Sequence, residues 1–233
     1  MGVRAALRGL GPALLDLVFP PRCAACGEPP QAGTPFCALC AGAVDPVPGP
    51  CPRCGRPGSG ARECGPCALS PPGFGRLDAA ALFGGPLADA VHALKYGGRP
   101  AVAGPLGAWM AARLPPAPGL AVVTVPLGRR RHVERGYDQA ALLGDALARS
   151  ARLRRLRGAL RRVRETPPQV GLDRAARARN VEGAFAAGAA VRGLDLLLVD
   201  DVVTTGATAD AAARALLAAG ARSVRVAALA RAD

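Results

Sequence analysis

Residues 196–208 read Leu-Leu-Leu-Val-Asp-Asp-Val-Val-Thr-Thr-Gly-Ala-Thr. The apolar run 196–199 predicts a buried strand, and the Ala/Leu-rich stretch 209–219 predicts a helix. Two adjacent carboxylates and a hydroxyl- and glycine-rich turn lie between them. Such a strand, loop and helix unit commits the chain to an α/β architecture and leaves unpaired backbone N–H groups at the helix start. Those groups attract a phosphate, and Gly206 lets the backbone approach it closely. Thr204, Thr205 and Thr208 add hydroxyl donors around Gly206 and Ala207. Asp200 and Asp201 cannot serve the phosphate, because like charges repel. They suit sugar hydroxyls, or a divalent cation shared with the ligand. A seat for a phosphate beside a seat for a polyol points to a ribose phosphate.

The same alternation runs through the last two thirds of the chain. Strands are predicted over 77–83, 120–125, 159–163, 196–199 and 223–229, and helices over 86–96, 100–114, 137–151 and 209–219. Strands alternating with helices imply a parallel sheet flanked by helices. Ser70-Pro71-Pro72-Gly73 marks a boundary, so residues 74–233 read as one α/β domain.

All eight cysteines precede that boundary. They form four C-x-x-C pairs: Cys23/Cys26, Cys37/Cys40, Cys51/Cys54 and Cys64/Cys67. One such turn aims two thiolates at a tetrahedral metal, and two turns complete an S4 zinc site. Residues 21–70 hold little besides Phe36, Val44 and Val47 to bury, so metal supplies the folding energy of this small module. Sequential and interleaved pairing both satisfy the spacing. Disulfides and an iron–sulfur cluster are the competing readings of the same cysteines; the lack of a secretory signal and the ribbon-like repeat favour structural zinc.

The formal net charge of +13 would by itself suggest a polyanionic partner. Arginine is used almost everywhere in this chain, however, and a compositional skew accounts for much of that charge. Lys95 is the only lysine. Residues 1–20 carry Leu10, Leu14, Leu15, Leu17 and Val18 in an amphipathic pattern, with Pro12 and Asp16 interrupting it. They predict a helix packed on the protein, not a signal peptide or a bilayer span. The chain therefore reads as cytoplasmic, with no membrane insertion. Neither His92 nor His132 stands in a catalytic pattern.

Two arginine-rich segments bear on chemistry. After the strand ending near Val125, Leu127, Gly128, Arg129, Arg130 and Arg131 are predicted to form a loop at the C-terminal edge of the sheet, where ligands bind in open α/β folds. Arginines there can hold a pyrophosphate through forked, charge-assisted hydrogen bonds. The second, from Arg164 through Gln169 and Arg177 to Asn180, is predicted to be a polar flexible loop able to close over that group. Lys95 and Arg135 are further candidates.

The Asp-Asp-x-x-Thr-Thr-Gly-x-Thr pattern resembles the 5-phosphoribosyl 1-pyrophosphate (PRPP) loop of type I phosphoribosyltransferases. The wider set extends this: the cysteine pairs, Leu94-Lys95-Tyr96-Gly97, Val125-Pro126-Leu127, Arg135-Gly136-Tyr137-Asp138-Gln139, Gln169, Arg177-x-Arg179-Asn180-Val181 and the paired acids. Together these resemble the ComF family over nearly the whole chain. Tyr137-Asp138 departs mildly from the family's usual Phe-Asn.

The resemblance implies a type I phosphoribosyltransferase fold with an N-terminal double zinc ribbon. It implies PRPP binding at Asp200, Asp201 and residues 204–208, with Mg²⁺ accompanying the ligand and residues 127–131 on the pyrophosphate side. It also implies a link to DNA uptake and natural transformation. Two functions follow from it. One is transfer of a phosphoribosyl group to an acceptor that the sequence does not name. The other is a non-catalytic protein that senses PRPP while contacting single-stranded DNA or competence proteins.

Overall fold

Five strands form one sheet in which every neighbouring pair is parallel. They are β1 (Arg76–Leu82), β2 (Ala121–Thr124), β3 (Arg154–Arg155), β6 (Asp195–Val203) and β7 (Ser223–Arg231), in the spatial order β1-β7-β6-β2-β3. A separate antiparallel hairpin pairs β4 (Leu160–Arg162) with β5 (Phe185–Ala187). The helices are α1 (Ala38–Gly42), α2 (Gly65–Leu69), α3 (Gly85–Lys95), α4 (Ala103–Arg113), α5 (Arg129–Arg135), α6 (Gln139–Ser150) and α7 (Ala207–Ala218). The structure is a computed structural model and describes residues 20–60, 62–165 and 179–232. Most of the expected helix over 1–20 lies outside them, as do Gln169 and Arg177.

Strand alternation divides the core into two layers. Leu197 and Val199 face one side of the sheet, where Leu106 and Met110 of α4 and Leu143 and Leu147 of α6 pack. Leu196 and Leu198 face the other, against Ala209, Ala212, Ala213 and Leu216 of α7. Each fully buried leucine contributes about 2 kcal/mol of transfer free energy. Few aromatics are available, so alanine-rich helix faces let α7 sit close to the sheet.

The cysteine module is joined to this core in two ways. Phe36 is fully buried and meets Trp109 of α4 edge-on, with ring centroids 5.6 Å apart. Main chain from the same module also covers the sheet edge. Leu77 N–H donates to Arg53 O at 2.8 Å, and Leu82 N–H donates to Asp45 O at 2.9 Å. These bonds satisfy donors on β1 that an open edge strand would leave unpaired. Gly55 makes the approach possible: its φ is +65°, and a Cβ there would lie 2.8 Å from Leu77 O.

Two local expectations are corrected. Residues 129–131 do not form a loop; they begin α5, whose chain reverses at Gly136. An arginine-rich run has good helix propensity, and the spacing of charges concealed it. The motif strand does not stop at Val199 but runs through both aspartates to Val203. Lying between β2 and β7, it finds partners that override the weak strand preference of Asp, with Asp200 opposite Ala228 and Val202 opposite Ala230.

Candidate functional site

After β2 the chain moves outward to β3, and after β6 it moves the opposite way to β7. The carboxyl ends of β2 and β6 therefore border the crevice at the point where the topology switches, the usual ligand position in an open parallel sheet. A cavity of about 740 Å³ lies there. Its lining includes Asp200, Asp201, Thr204 and Thr208 from the motif, Leu127 and Arg131 beyond β2, and Lys95 and Tyr96 at the end of α3.

Extended backbone sends Asp200 and Asp201 to opposite faces of the sheet. Asp201 is buried on the α3 side, and its Oδ1 stands 3.0 Å from Lys95 Nζ. Its other oxygen, Oδ2, is buried without a hydrogen-bond partner. Asp200 faces the β4–β5 side, where its Oδ1 accepts from Asp201 N–H at 2.9 Å. Burial, joined by repulsion from Asp201, pushes the Asp200 carboxyl up to about 8; the Asp201 N–H and Lys95 counteract only part of this.

The end of α3 is held by the end of α5 and the turn that leads into α6. Tyr137 OH donates to Leu94 O at 2.6 Å, which fixes the carbonyl before Lys95. Arg135 lies over the Tyr96 ring, 5.0 Å from its centroid. Asp138 organises the opposite wall. Its Oδ1 caps α6 by accepting from Ala141 N–H at 2.9 Å, and its Oδ2 accepts from Leu127 N–H at 3.0 Å.

The hydroxyl turn has the shape its composition predicts. Gly206 has φ +83° and caps α7, a left-handed position that an L side chain adopts only with strain. Thr205 Oγ1 accepts from Ala207 N–H at 3.4 Å. Thr204 and Thr208 bracket this turn and line the cavity.

Among the arginines, Arg131 and Arg135 line the cavity, whereas Arg129 and Arg130 do not. Arg130 is exposed and paired with Glu134 at 2.8 Å. At the start of α5 a carboxylate, Glu165, accepts from Arg129 N–H and lies so near Gly128 that a Cβ there would be 2.7 Å from its Oε2. Arg164 donates to the carbonyls of Asn180 and Glu182.

Arg162 and Glu134 are charged cavity residues that the sequence did not single out as site residues. Arg162 enters from β4, with its guanidinium 5.4 Å from the Phe185 ring centroid. Burial, with Arg131 nearby, draws that guanidinium below its ordinary value, while Glu165 and Asp200 oppose the shift. Glu134 is the other; it sits inside a run that reads as a basic loop.

The cysteines gather into two sets, Cys23/Cys26/Cys37/Cys40 and Cys51/Cys54/Cys64/Cys67, with the sulfurs of each set all within 4.8 Å of one another. Pairing is thus sequential. The Cys26–Cys37 and Cys54–Cys64 sulfurs are 3.7 and 3.6 Å apart. Tetrahedral bonds of about 2.3 Å to zinc call for about 3.8 Å. Burial disfavours the Cys23 and Cys51 thiolates, yet surrounding N–H donors outweigh it and bring each down to about 6. Burial and neighbouring thiols push Cys40 and Cys67 up. Four crowded sulfurs of this kind are stabilised together by a cation, and the donor set fits structural zinc.

The double zinc ribbon domain family matches residues 14–68, and the phosphoribosyl transferase domain family matches residues 151–233. The DNA utilization protein YhgH of Escherichia coli O6:H1 is 35% identical over 219 residues, covering 90% of this chain and 96% of that protein. The YhgH protein of Salmonella typhi is 38% identical over 200 residues, covering 82% of this chain and 88% of its own length. Competence protein F of Haemophilus influenzae is 36% identical over 115 residues, covering 48% of this chain and 50% of that protein.

Proposed function

We propose that this chain, which belongs to the ComF family of double-zinc-ribbon phosphoribosyltransferase-domain proteins, binds PRPP and transfers its phosphoribosyl group to an acceptor. One observation carries the proposal. Two adjacent carboxylates, Asp200 and Asp201, and the threonines on either side of a left-handed glycine cap, Thr204 and Thr208, line a single cavity at the switch point of the sheet.

The turn at 204–208 holds the 5-phosphate through N–H groups at the start of α7 and threonine hydroxyls. Asp200 and Asp201 bind the ribose hydroxyls, and the Asp201 carboxylate favours the positive charge that grows on the sugar as its C1–O bond breaks. Leu127 and Arg131 flank the leaving pyrophosphate. Asp201 Oδ2, buried and unpartnered, is a hard oxygen donor that fits a divalent cation. Asp201 and the ligand's own oxygens would hold Mg²⁺, which supplies positive charge to the departing pyrophosphate. Fixing the sugar at two points turns the attack of an acceptor into an effectively intramolecular event.

Calorimetric titration with PRPP, with and without Mg²⁺, tests binding, and pyrophosphate release with a panel of acceptors tests transfer. Saturable binding abolished by Asp200→Asn with Asp201→Asn is the expected result. Absence of binding by well-folded protein overturns the proposal.

A second reading has its own support. Arg149, Arg152, Arg154, Arg157 and Arg161 are all exposed along the β3 edge and the adjoining hairpin, with Asp145 pairing only Arg157 among them. Such a strip suits a polyanion, and the relatives are named for DNA utilization and competence. On this reading the site senses PRPP while the strip or the ribbons contact single-stranded DNA or a competence protein. The described residues contain no helix long and apolar enough to cross a membrane. Normal DNA uptake by a strain whose protein no longer binds PRPP favours contact without catalysis.

A further inference from the structure

We propose that the Cys23/Cys26/Cys37/Cys40 set is a peroxide-sensitive switch, in which Cys26 and Cys37 close into a disulfide, the set loses its metal and the seat of α3 loosens. This device is independent of what the switch-point cavity binds.

The two cysteine sets share a ligand chemistry but not an environment. Cys26 is exposed, whereas each member of the second set is buried or half-buried. The second set is also backed by main chain, since Gly55 packs on Leu77 and Arg53 O accepts from Leu77 N–H at 2.8 Å. A metal-bound thiolate is the form that attacks peroxide, so access decides which sulfur reacts. That sulfur is Cys26. Its partner is at hand, because Cys37 Sγ lies 3.7 Å away on the opposite C-x-x-C turn.

The Cys26 thiolate attacks one oxygen of hydrogen peroxide. The O–O bond breaks, hydroxide leaves, and a sulfenic acid forms. The Cys37 thiolate then attacks the Cys26 sulfur. The S–S bond forms, the S–O bond breaks, and a second hydroxide leaves. Solvent protons convert both hydroxides to water. The two thiolates have lost two electrons, and peroxide has gained them. A disulfide holds its sulfurs about 2.05 Å apart, whereas zinc bonds of about 2.3 Å hold them about 3.8 Å apart, so bond and metal exclude each other. Cys23 and Cys40 alone are too few for a structural tetrahedral site.

The position of this ribbon carries the change inward. Cys23, Ala24 and Phe36 belong to the buried cluster that holds Leu87 and Leu94 of α3 and Leu106 of α4. At the start of α3, a Cβ on Gly85 would lie 3.5 Å from Ala43 O, and just past its end Arg99 reaches Cys23 O at 3.5 Å. The first ribbon thus touches α3 at both ends, and α3 carries Lys95 to Asp201. A ribbon with so few apolar residues depends on its metal for folding. Once the metal leaves, Phe36 withdraws from Trp109 and α3 loses its support.

The test treats the zinc-loaded full chain with stoichiometric hydrogen peroxide. A chromogenic chelator follows zinc release, mass spectrometry maps the disulfide, and Trp109, the sole tryptophan, reports on Phe36 by fluorescence. Release from the first set alone is expected, with a Cys26–Cys37 disulfide and a red shift of the Trp109 emission. Hydrogen exchange should quicken in α3 and α4 and stay unchanged in α7. Dithiothreitol with added zinc should reverse every signal. Cys26→His keeps a fourth zinc ligand but forms no disulfide, and should slow release at least about tenfold. If that variant fails to load zinc, the parent protein's disulfide map and exchange pattern decide alone. Release from the second set first or at the same rate, a first disulfide other than Cys26–Cys37, or unchanged exchange in α3 after release overturns the inference.

Discussion

Lys95 Nζ stands 3.0 Å from Asp201 Oδ1, with both side chains largely withdrawn from solvent. The sole lysine of the chain reaches from the end of a helix that follows the edge strand to the carboxyl end of the central strand. It compensates one of two adjacent acids and leaves the other to bear the cost of proximity. Removing one partner of a buried ion pair leaves an uncompensated charge, at about 3 kcal/mol or more. Lys95→Met is therefore expected to lower unfolding free energy by roughly that amount in urea titrations with an unchanged slope. Adding Asp201→Asn to Lys95→Met is expected to restore much of the loss.

Asp200 makes stability depend on pH in a direction unusual for an aspartate. Its folded carboxyl is pushed up to about 8, while the unfolded group titrates near the ordinary value of 3.8. Between those limits the folded state binds more protons than the unfolded state, so this contribution to stability falls as pH rises and is fully present only below the unfolded value. Urea unfolding from pH 5 to 8 should show this decline, and Asp200→Asn should flatten it. An unchanged slope with pH in the variant counts against the burial assigned to this group.

Zinc removal is expected to damage the sheet as well as the ribbons. Elemental analysis should find two zinc ions per chain, one for each cysteine set. Chelation frees Arg53 and Asp45, whose carbonyls accept from Leu77 and Leu82 on the edge strand. The stripped protein should then melt at lower temperature and aggregate through the exposed edge. Cys54→Ser, in the set nearest that edge, should reproduce this more strongly than Cys26→Ser.

Gly206→Ala tests the phosphate cradle. At φ +83° an alanine carries strain of about 1–2 kcal/mol. Its Cβ meets only Phe74 at 3.9 Å, so the loss arises from backbone conformation and not from crowding. Thermal unfolding should show a modest decrease, and PRPP titration a larger one, because the turn relaxes away from the geometry that directs its N–H groups at one point.

The local chemistry was readable from neighbouring residues alone. Apolar residues ahead of Asp200, glycine and threonines after it, and four evenly spaced C-x-x-C turns each set geometry within a few residues, where spacing determines direction. The family and the α/β class follow from such short-range patterns. Packing decided the rest. Only the full sheet shows that the motif strand continues through both acids and sends them to opposite faces. Only the fold brings Lys95 to Asp201, Arg162 from the hairpin into the cavity, and Arg135 over Tyr96. These contacts join residues far apart in the chain, and their partners are selected by burial and charge in three dimensions, which no local spacing encodes.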